Sequence, residues 1–266
     1  MKKPIAVFSL LIFAFSANAQ EEKRLTLDEL VRSALERNPK LKAAQSLAEA
    51  QKLRIGPEGA LPDPVVGLSF KNMGLKGITI GEEVMSGIGF SFAQAVPFPG
   101  KLALRSKIAE TRARVAEEDI RVVRLSLLRQ VKELYAKLFF YKRSIALLGK
   151  KKDLLEKALR LAETKYAVGR GAQPDIFKGR VEISMIEEMI VSMKGMVSAL
   201  EANLNSLLDY PGDRPLGEPE EIPFYAFPLE LAPVSEAARK DSPLLKTAGL
   251  MVEEGEREVE MAKKEF

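Results

Sequence analysis

Cysteine, histidine and tryptophan are absent from this 266-residue chain. Without a thiol there is no disulfide framework and no sulfur nucleophile, and without imidazole there is no Ser-His-Asp triad and no His/Cys metal centre. Catalysis would have to rest on carboxylates, Lys, Ser or Tyr. An excess of one charge is missing as well: 41 basic and 37 acidic residues leave a formal +4. The two signs interleave along the chain, whereas a nucleic-acid binder gathers its excess on one face, so no nucleic-acid partner is expected. Beyond Phe15 no apolar run approaches the ~20 residues of a membrane-spanning helix. At 46% hydrophobic and 29% charged residues, the chain is neither too polar to collapse nor apolar enough to be a helical membrane bundle.

The first residues indicate export. Lys2 and Lys3 precede an almost unbroken apolar run from Ile5 to Phe15, and Ala17-Asn18-Ala19 supplies the small-x-small pattern read by a signal peptidase. A run of about 11 residues reaches only ~16 Å as a helix, against a hydrocarbon core of ~30 Å, so a cleaved leader over residues 1–19 is expected rather than an anchor. The mature chain would begin near Gln20. No Cys is available there for lipid attachment. If the exported chain meets a membrane, it must do so with β-strands or an amphipathic surface.

Thr26, with Asp28 and Glu29 behind it, opens a short helix that Asn38-Pro39 interrupts. A second helix is expected from about Pro39 to Arg54, ended by Gly56-Pro57, Gly59 and Leu61-Pro62-Asp63-Pro64. Strict alternation then sets Val66, Leu68 and Phe70 on one face and Val65, Gly67, Ser69 and Lys71 on the other. It returns between Val84 and Ala95, with Ile88, Phe90 and Phe92 opposite Gly87, Gly89, Ser91 and Ala93. These alternations predict a β-hairpin over residues 64–96. Its bulky face could pack on a soluble core, or it could meet lipid while the small, polar face lines a wet lumen. In the second case two strands cannot close a barrel, and they oblige other strands to join them.

From Leu102 to Val168 there is no Pro and a single Gly, Gly149, which predicts one helix of ~100 Å at 1.5 Å per residue. Val131, Leu134, Leu138, Tyr141, Ile145, Leu148, Lys152, Leu155, Leu159, Ala162 and Tyr166 step alternately by 3 and 4, a heptad seam. Gly169-Arg170-Gly171 ends that helix, and Pro174 suits the first turn of the next. The returning helix has its own seam at Ile183, Ile186, Ile190, Met193, Val197, Leu200, Leu204 and Leu207. The two must lie antiparallel over residues 102–209. Met189, Met193 and Met196 are expected to pack in that seam rather than bind a soft metal. Lys150-Lys151-Lys152 reads as a solvated face. A proline-rich connector follows over residues 211–233.

What comes next repeats what came first. At an offset of 204, Ala34, Pro39, Leu41, Lys42, Ala44 and Glu49 meet identical residues at Ala238, Pro243, Leu245, Lys246, Ala248 and Glu253. Residues 20–210 are therefore expected to form one structural repeat, and residues 234–266 the start of a second.

This order of parts, with Leu61-Pro62-Asp63-Pro64, Asn72, and Gln94-Ala95-Val96-Pro97-Phe98-Pro99-Gly100-Lys101-Leu102 followed by Arg105 and Ala109, resembles the outer membrane efflux (TolC-like) family, and its wording resembles the branch paired with heavy-metal exporters. The resemblance implies a partial protomer that is mainly α with a β-hairpin: a long antiparallel coiled-coil hairpin plus two transmembrane β-strands of an outer-membrane α/β-barrel, truncated after the first repeat. It implies a homotrimer when full length, in which each subunit gives four strands to a twelve-stranded barrel. It also implies a passive duct spanning the periplasm, a periplasmic adaptor and an inner-membrane RND-type pump as partners, and no cofactor or resident metal. Val66, Leu68, Phe70, Ile88, Phe90 and Phe92 would face lipid. Gly169, Arg170 and Gly171 would sit at the tip that meets the adaptor, and Asp175 would help hold the closed aperture, unless it is simply a carboxylate favoured by the helix dipole. Pro174 stands where some members carry a hydroxyl side chain.

Two other readings compete. A periplasmic adaptor or helical scaffold would also present a long helical hairpin, but an adaptor needs β-domains on both sides of it. An enzyme could use Glu117, Glu118 and Asp119, or Glu187 and Glu188, yet adjacent carboxylates on a helix diverge by about 100° per residue and do not converge on a substrate. No enzymatic activity is expected.

Overall fold

The computed structural model describes residues 24–71, 85–223 and 230–264. The leader over residues 1–19, Gln20, Asn72, Val84 and part of the connector lie outside the described residues. Those described form α1 (Leu27–Arg37), α2 (Pro39–Gly59), β1 (Val65–Lys71), β2 (Gly87–Ala93), α3 (Lys101–Ala167), α4 (Gln173–Leu207), α5 (Leu231–Asp241) and α6 (Pro243–Lys263). They divide into two compact units. One comprises residues 24–29, Tyr135–Ala202 and Asp213–Ile222, the other residues 30–71, 85–134, Asn203–Gly212, 223 and 230–264. No described helix is long and apolar enough to cross a membrane.

Local chemistry explains the starts of the first two helices. The Thr26 hydroxyl accepts from the Glu29 amide at 3.2 Å, the N-cap of α1. Asn38 caps α2 through Oδ1 to the Leu41 amide at 3.1 Å, with Pro39 in the first turn, where its missing N–H costs nothing. The end of α2 corrects the sequence expectation, because the helix continues through Gly56 and Pro57 to Gly59. Pro57 removes one amide only within the last turns. Gly59 lies so close to α3 that an added Cβ would stand 3.2 Å from the Ser106 Cβ, so packing holds this end in helical form.

In the first unit α3 and α4 are antiparallel. Lys142 meets Glu201 at 3.1 Å, Lys152 meets Glu187 at 2.6 Å and Arg180 meets Glu163 at 2.9 Å, so numbers fall along α4 as they rise along α3. Leu138 and Ile186 are fully buried, and the remaining seam residues of this unit are half-buried, with Tyr166 exposed at the end. The methionines need a correction: Met193 lies in the seam, but Met189 and Met196 are 36% and 51% exposed. Each precedes a seam residue, Ile190 or Val197, by one position, and one residue turns a helix by about 100°. Lys152 is likewise no free solvated lysine. Its hydrogen bond to Glu187 raises its pKa above the ordinary lysine value.

The same unit ties down the chain around Leu25 and the start of the connector. The Leu25 amide donates to the Glu218 carbonyl at 2.8 Å, and the Glu220 amide to the Leu25 carbonyl at 3.1 Å. The Tyr135 hydroxyl reaches the carbonyls of both Leu25 and Glu220, at 3.0 and 3.1 Å, and burial pushes its phenol up. Lys142 adds a bond to the Gly217 carbonyl at 2.7 Å.

In the second unit α2 runs antiparallel to α3, with Lys52 on Glu117 at 2.8 Å and Gly59 against Ser106. Leu30, Ala34, Leu41 and Ala48 are buried here, as are Leu104, Ile108, Ala109, Ala113 and Ala116 on α3. Helix α6 docks on α3 by charge instead. Arg112 holds Glu254 at 2.5 Å and Glu258 at 2.7 Å, Arg114 meets Glu253 at 3.4 Å, and Arg257 donates to the Lys107 carbonyl at 2.7 Å and to the Thr111 hydroxyl. Only Pro243 and Thr247 of α6 are buried.

The offset of 204 recurs in the elements themselves: α5 starts and ends 204 residues after α1, and α6 does so after α2. Ser242, at φ −63° and ψ 115°, takes the place of Asn38, at −55° and 123°. Its hydroxyl accepts from the Leu245 amide at 3.4 Å, repeating the cap on a shorter side chain.

Candidate functional site

The strand pair and the helical tip carry the residues to which the resemblance assigns a role. Strands β1 and β2 pair antiparallel with Val66 opposite Phe92, Leu68 opposite Phe90 and Phe70 opposite Ile88. Alternation therefore gathers all six apolar side chains on one face of the sheet. Each is exposed, from 51% at Ile88 to 73% at Phe90. Among the described residues nothing covers this face. An isolated two-stranded hairpin is at best marginal in water, and one presenting six bulky apolar groups calls for an apolar environment.

The opposite face is built differently. Gly67 pairs with Ser91 and Ser69 with Gly89, and each serine hydroxyl leans onto the facing glycine carbonyl at 3.4 Å. Lys71 is the one charge on this face of the two strands. Gln94, quoted above only as family wording, acquires a physical role. Its Nε2 donates to the Pro62 carbonyl at 2.6 Å and joins the chain just after β2 to the chain just before β1.

At the helical tip α3 ends in a Schellman motif. The Gly169 amide donates to the Tyr166 carbonyl at 3.0 Å and the Arg170 amide to the Lys165 carbonyl at 2.8 Å. Gly169 has φ +74°, the left-handed conformation that this motif demands. Gly171 is glycine for a different reason, since an added Cβ would stand 2.7 Å from the Tyr166 backbone nitrogen. Gly169 and Arg170 are exposed and Gly171 is half-buried. Asp175 is exposed in the first turn of α4, where a carboxylate complements the helix dipole.

Three of the five carboxylates considered for catalysis go to separate partners: Glu117 to Lys52, Glu118 to Arg121 and Glu187 to Lys152. Sequence reasoning missed Asn38, Tyr135 and the bond made by Gln94. Asn38 was legible as a cap, but not its second bond, from Nδ2 to the Leu207 carbonyl at 2.9 Å.

A two-stranded hairpin with one exposed apolar face is followed by a coiled-coil hairpin built on a 67-residue helix. The outer membrane efflux protein family matches residues 30–208, and the chain belongs to it. Among solved structures it is similar to CusC, at TM-score 0.72 and 16% identity, covering 90% of this chain and 56% of that one. It is similar also to the outer membrane channel CmeC of Campylobacter jejuni, at TM-score 0.66 and 15% identity over 99% of this chain and 61% of that one. The MtrE outer membrane channel of Neisseria gonorrhoeae, in its open state, matches at TM-score 0.63 and 20% identity over 89% and 54%. The chain thus spans a little over half the length of these channels. No curated protein matches the sequence.

Proposed function

We propose that this chain forms part of the wall of an outer-membrane exit duct through which small molecules or metal ions leave passively. The observation that carries the reading is the exposed apolar face of the hairpin, Val66, Leu68, Phe70, Ile88, Phe90 and Phe92, set against a glycine and serine face on the other side. In a closed barrel the first face meets lipid and the second meets water. Closure needs strands beyond these two, and a homotrimer whose full-length subunits each give four strands meets that need. The helical hairpin continues the passage into the periplasm. Its tip, with Gly169, Arg170, Gly171 and Asp175, meets a periplasmic adaptor, and Asp175 adds a polar contact to the closed aperture. An inner-membrane RND-type pump supplies the energy. The wording around Gln94 favours a pump that exports heavy-metal ions. In this reading such an ion is cargo rather than a resident cofactor. The adaptor reading loses its support, because helices α5 and α6, not a β-domain, follow the hairpin.

Deletion of the gene, with sensitivity measured across a panel of metals and drugs, tests the transport claim. Hypersensitivity to one class identifies the substrate; unchanged sensitivity to every compound contradicts it.

A further inference from the structure

Charge is nearly balanced along the whole chain, at 41 basic to 37 acidic residues, but not where the strands meet the helices. Residues 54–64, 94–107 and 260–264 hold six basic and three acidic side chains. The fold gathers these three stretches in one unit. Gln94 ties the end of β2 to Pro62, Gly59 at the end of α2 lies against Ser106, and Lys264 Nζ lies 3.1 Å from where a Cβ on Gly100 would stand. Arg54, Lys101, Arg105, Lys107, Lys263 and Lys264 are therefore brought to the foot of the hairpin. Arg54, Lys107 and Lys263 are exposed and the other three half-buried. The acids among them are Glu58, Asp63 and Glu260, and Glu260 reaches Lys264 only at 3.7 Å.

The same foot is apolar at its surface: Leu61 is 51% exposed, Phe98 67% and Val96 76%. These side chains flank β1 and β2 on the helical side and extend the exposed apolar area of the strands. An apolar rim next to a group of cations suits the boundary between acyl chains and headgroups, where Lys and Arg lay their stems on hydrocarbon and hold their charge in the polar layer.

We propose that the foot of the hairpin binds anionic phospholipid headgroups in the periplasm-facing leaflet of the membrane that the strands enter. The proposal rests on the duct reading, which sets the helices on the periplasmic side. Each Lys or Arg near an anionic surface favours it about fivefold, so an excess of three cations distinguishes an anionic headgroup from a zwitterionic one. A soluble anion would satisfy the charge but leave Leu61, Val96 and Phe98 in water. A phospholipid satisfies both.

The purified native oligomer, stripped of lipid by detergent exchange, is titrated with phosphatidylglycerol or phosphatidylethanolamine, and bound lipid is counted by native mass spectrometry. The expected result is retention of phosphatidylglycerol over phosphatidylethanolamine by about tenfold or more at low salt, weakening as salt rises. Arg54→Gln, Lys107→Gln and Lys263→Gln, combined in one variant, change only exposed side chains and lower that ratio about fivefold or more. Lys151→Gln, an exposed lysine elsewhere on α3, leaves it unchanged. Equal retention of the two lipids by the native oligomer would overturn the proposal, as would a ratio that the triple variant preserves or that Lys151→Gln lowers as far. The duct reading fails separately, if the product is not in the outer membrane; an outer-membrane product that holds both lipids alike sinks this proposal alone.

Discussion

Asn38 caps two helices with one side chain, and that makes its replacement a quantitative test of the fold. Oδ1 accepts from the Leu41 amide at the start of α2, and Nδ2 donates to the Leu207 carbonyl at the end of α4. The residue is only 4% exposed, so neither bond is readily replaced by water. Asn38→Ala removes both. Loss of the N-cap costs about 1 kcal/mol, and leaving the Leu207 carbonyl short of a donor adds about 1 to 2 kcal/mol. Asn38→Ser is the informative contrast, because Ser242 shows that a serine in this backbone geometry keeps the cap bond. A serine hydroxyl is too short to span to Leu207 as well, so this variant loses the second arm alone. Hydrogen exchange read by mass spectrometry on peptides covering residues 38–44 and 205–210 separates the arms, at about tenfold in rate for each 1.4 kcal/mol of opening free energy. Asn38→Ala accelerates exchange by about fivefold in the first peptide and by about five- to 25-fold in the second, and Asn38→Ser accelerates the second peptide and leaves the first near its native rate. Equal behaviour of the two variants, or an unaffected second peptide in both, would refute the double-cap account.

Four further outcomes follow from the same structure. Phe90→Arg puts a charge on the apolar face at about 2 to 4 kcal/mol per copy if that face meets lipid near the bilayer midplane, and so reduces the heat-sensitive oligomer in outer-membrane fractions. Ser91→Arg, one residue away on the opposite face, leaves it intact, and equal loss in both variants contradicts the assignment of faces. Gly169→Ala forces an alanine to φ +74° and costs about 1 to 2 kcal/mol, seen as faster exchange at the tip. Asp209 holds φ +56° in the Schellman motif that ends α4, so Asp209→Gly slows exchange over residues 204–210, equivalent to about 1 kcal/mol of added stability. Lys152 keeps its charge past the ordinary lysine range, because its bond to Glu187 raises its pKa. A lysine so raised stabilises the fold fully below its unfolded pKa and loses that contribution only as pH climbs through the folded value. A carbon-13 titration of Lys152 Cε therefore shows no change across neutral pH and a midpoint above ordinary lysine; a midpoint at or below it would contradict the pairing.

The elements were legible wherever one period ran unbroken. The 3-and-4 steps from Val131 to Tyr166 and from Ile183 to Leu207 correspond to the buried and half-buried positions of α3 and α4, with Tyr166 alone exposed at the end. The strand alternation gives the observed division of side chains between the two faces of the hairpin. Readings failed where tertiary contact overrode a local signal. Gly56-Pro57 breaks a free helix, but the end of α2 is pressed on Ser106 and stays helical. The methionines were misjudged by one position, enough to move Met189 and Met196 from seam to flank. Long-range polar bonds left no sequence signal: the links from Tyr135 to Glu220 and from Gln94 to Pro62 join residues that no spacing rule connects. Of the candidate site, the apolar strand face and the glycine-marked turn were readable from periodicity and punctuation. The reason for Gly171, where an added Cβ would stand 2.7 Å from the Tyr166 backbone nitrogen, required coordinates.

The central claim is that these strands belong to an outer-membrane duct. Fractionation of native cells, followed by immunoblotting of heated and unheated samples, tests it most directly, because it reads location, size and assembly together. The account predicts a product in the outer-membrane fraction that runs as an oligomer unheated and as a single subunit after heating. A soluble periplasmic band that migrates identically in both lanes would contradict it.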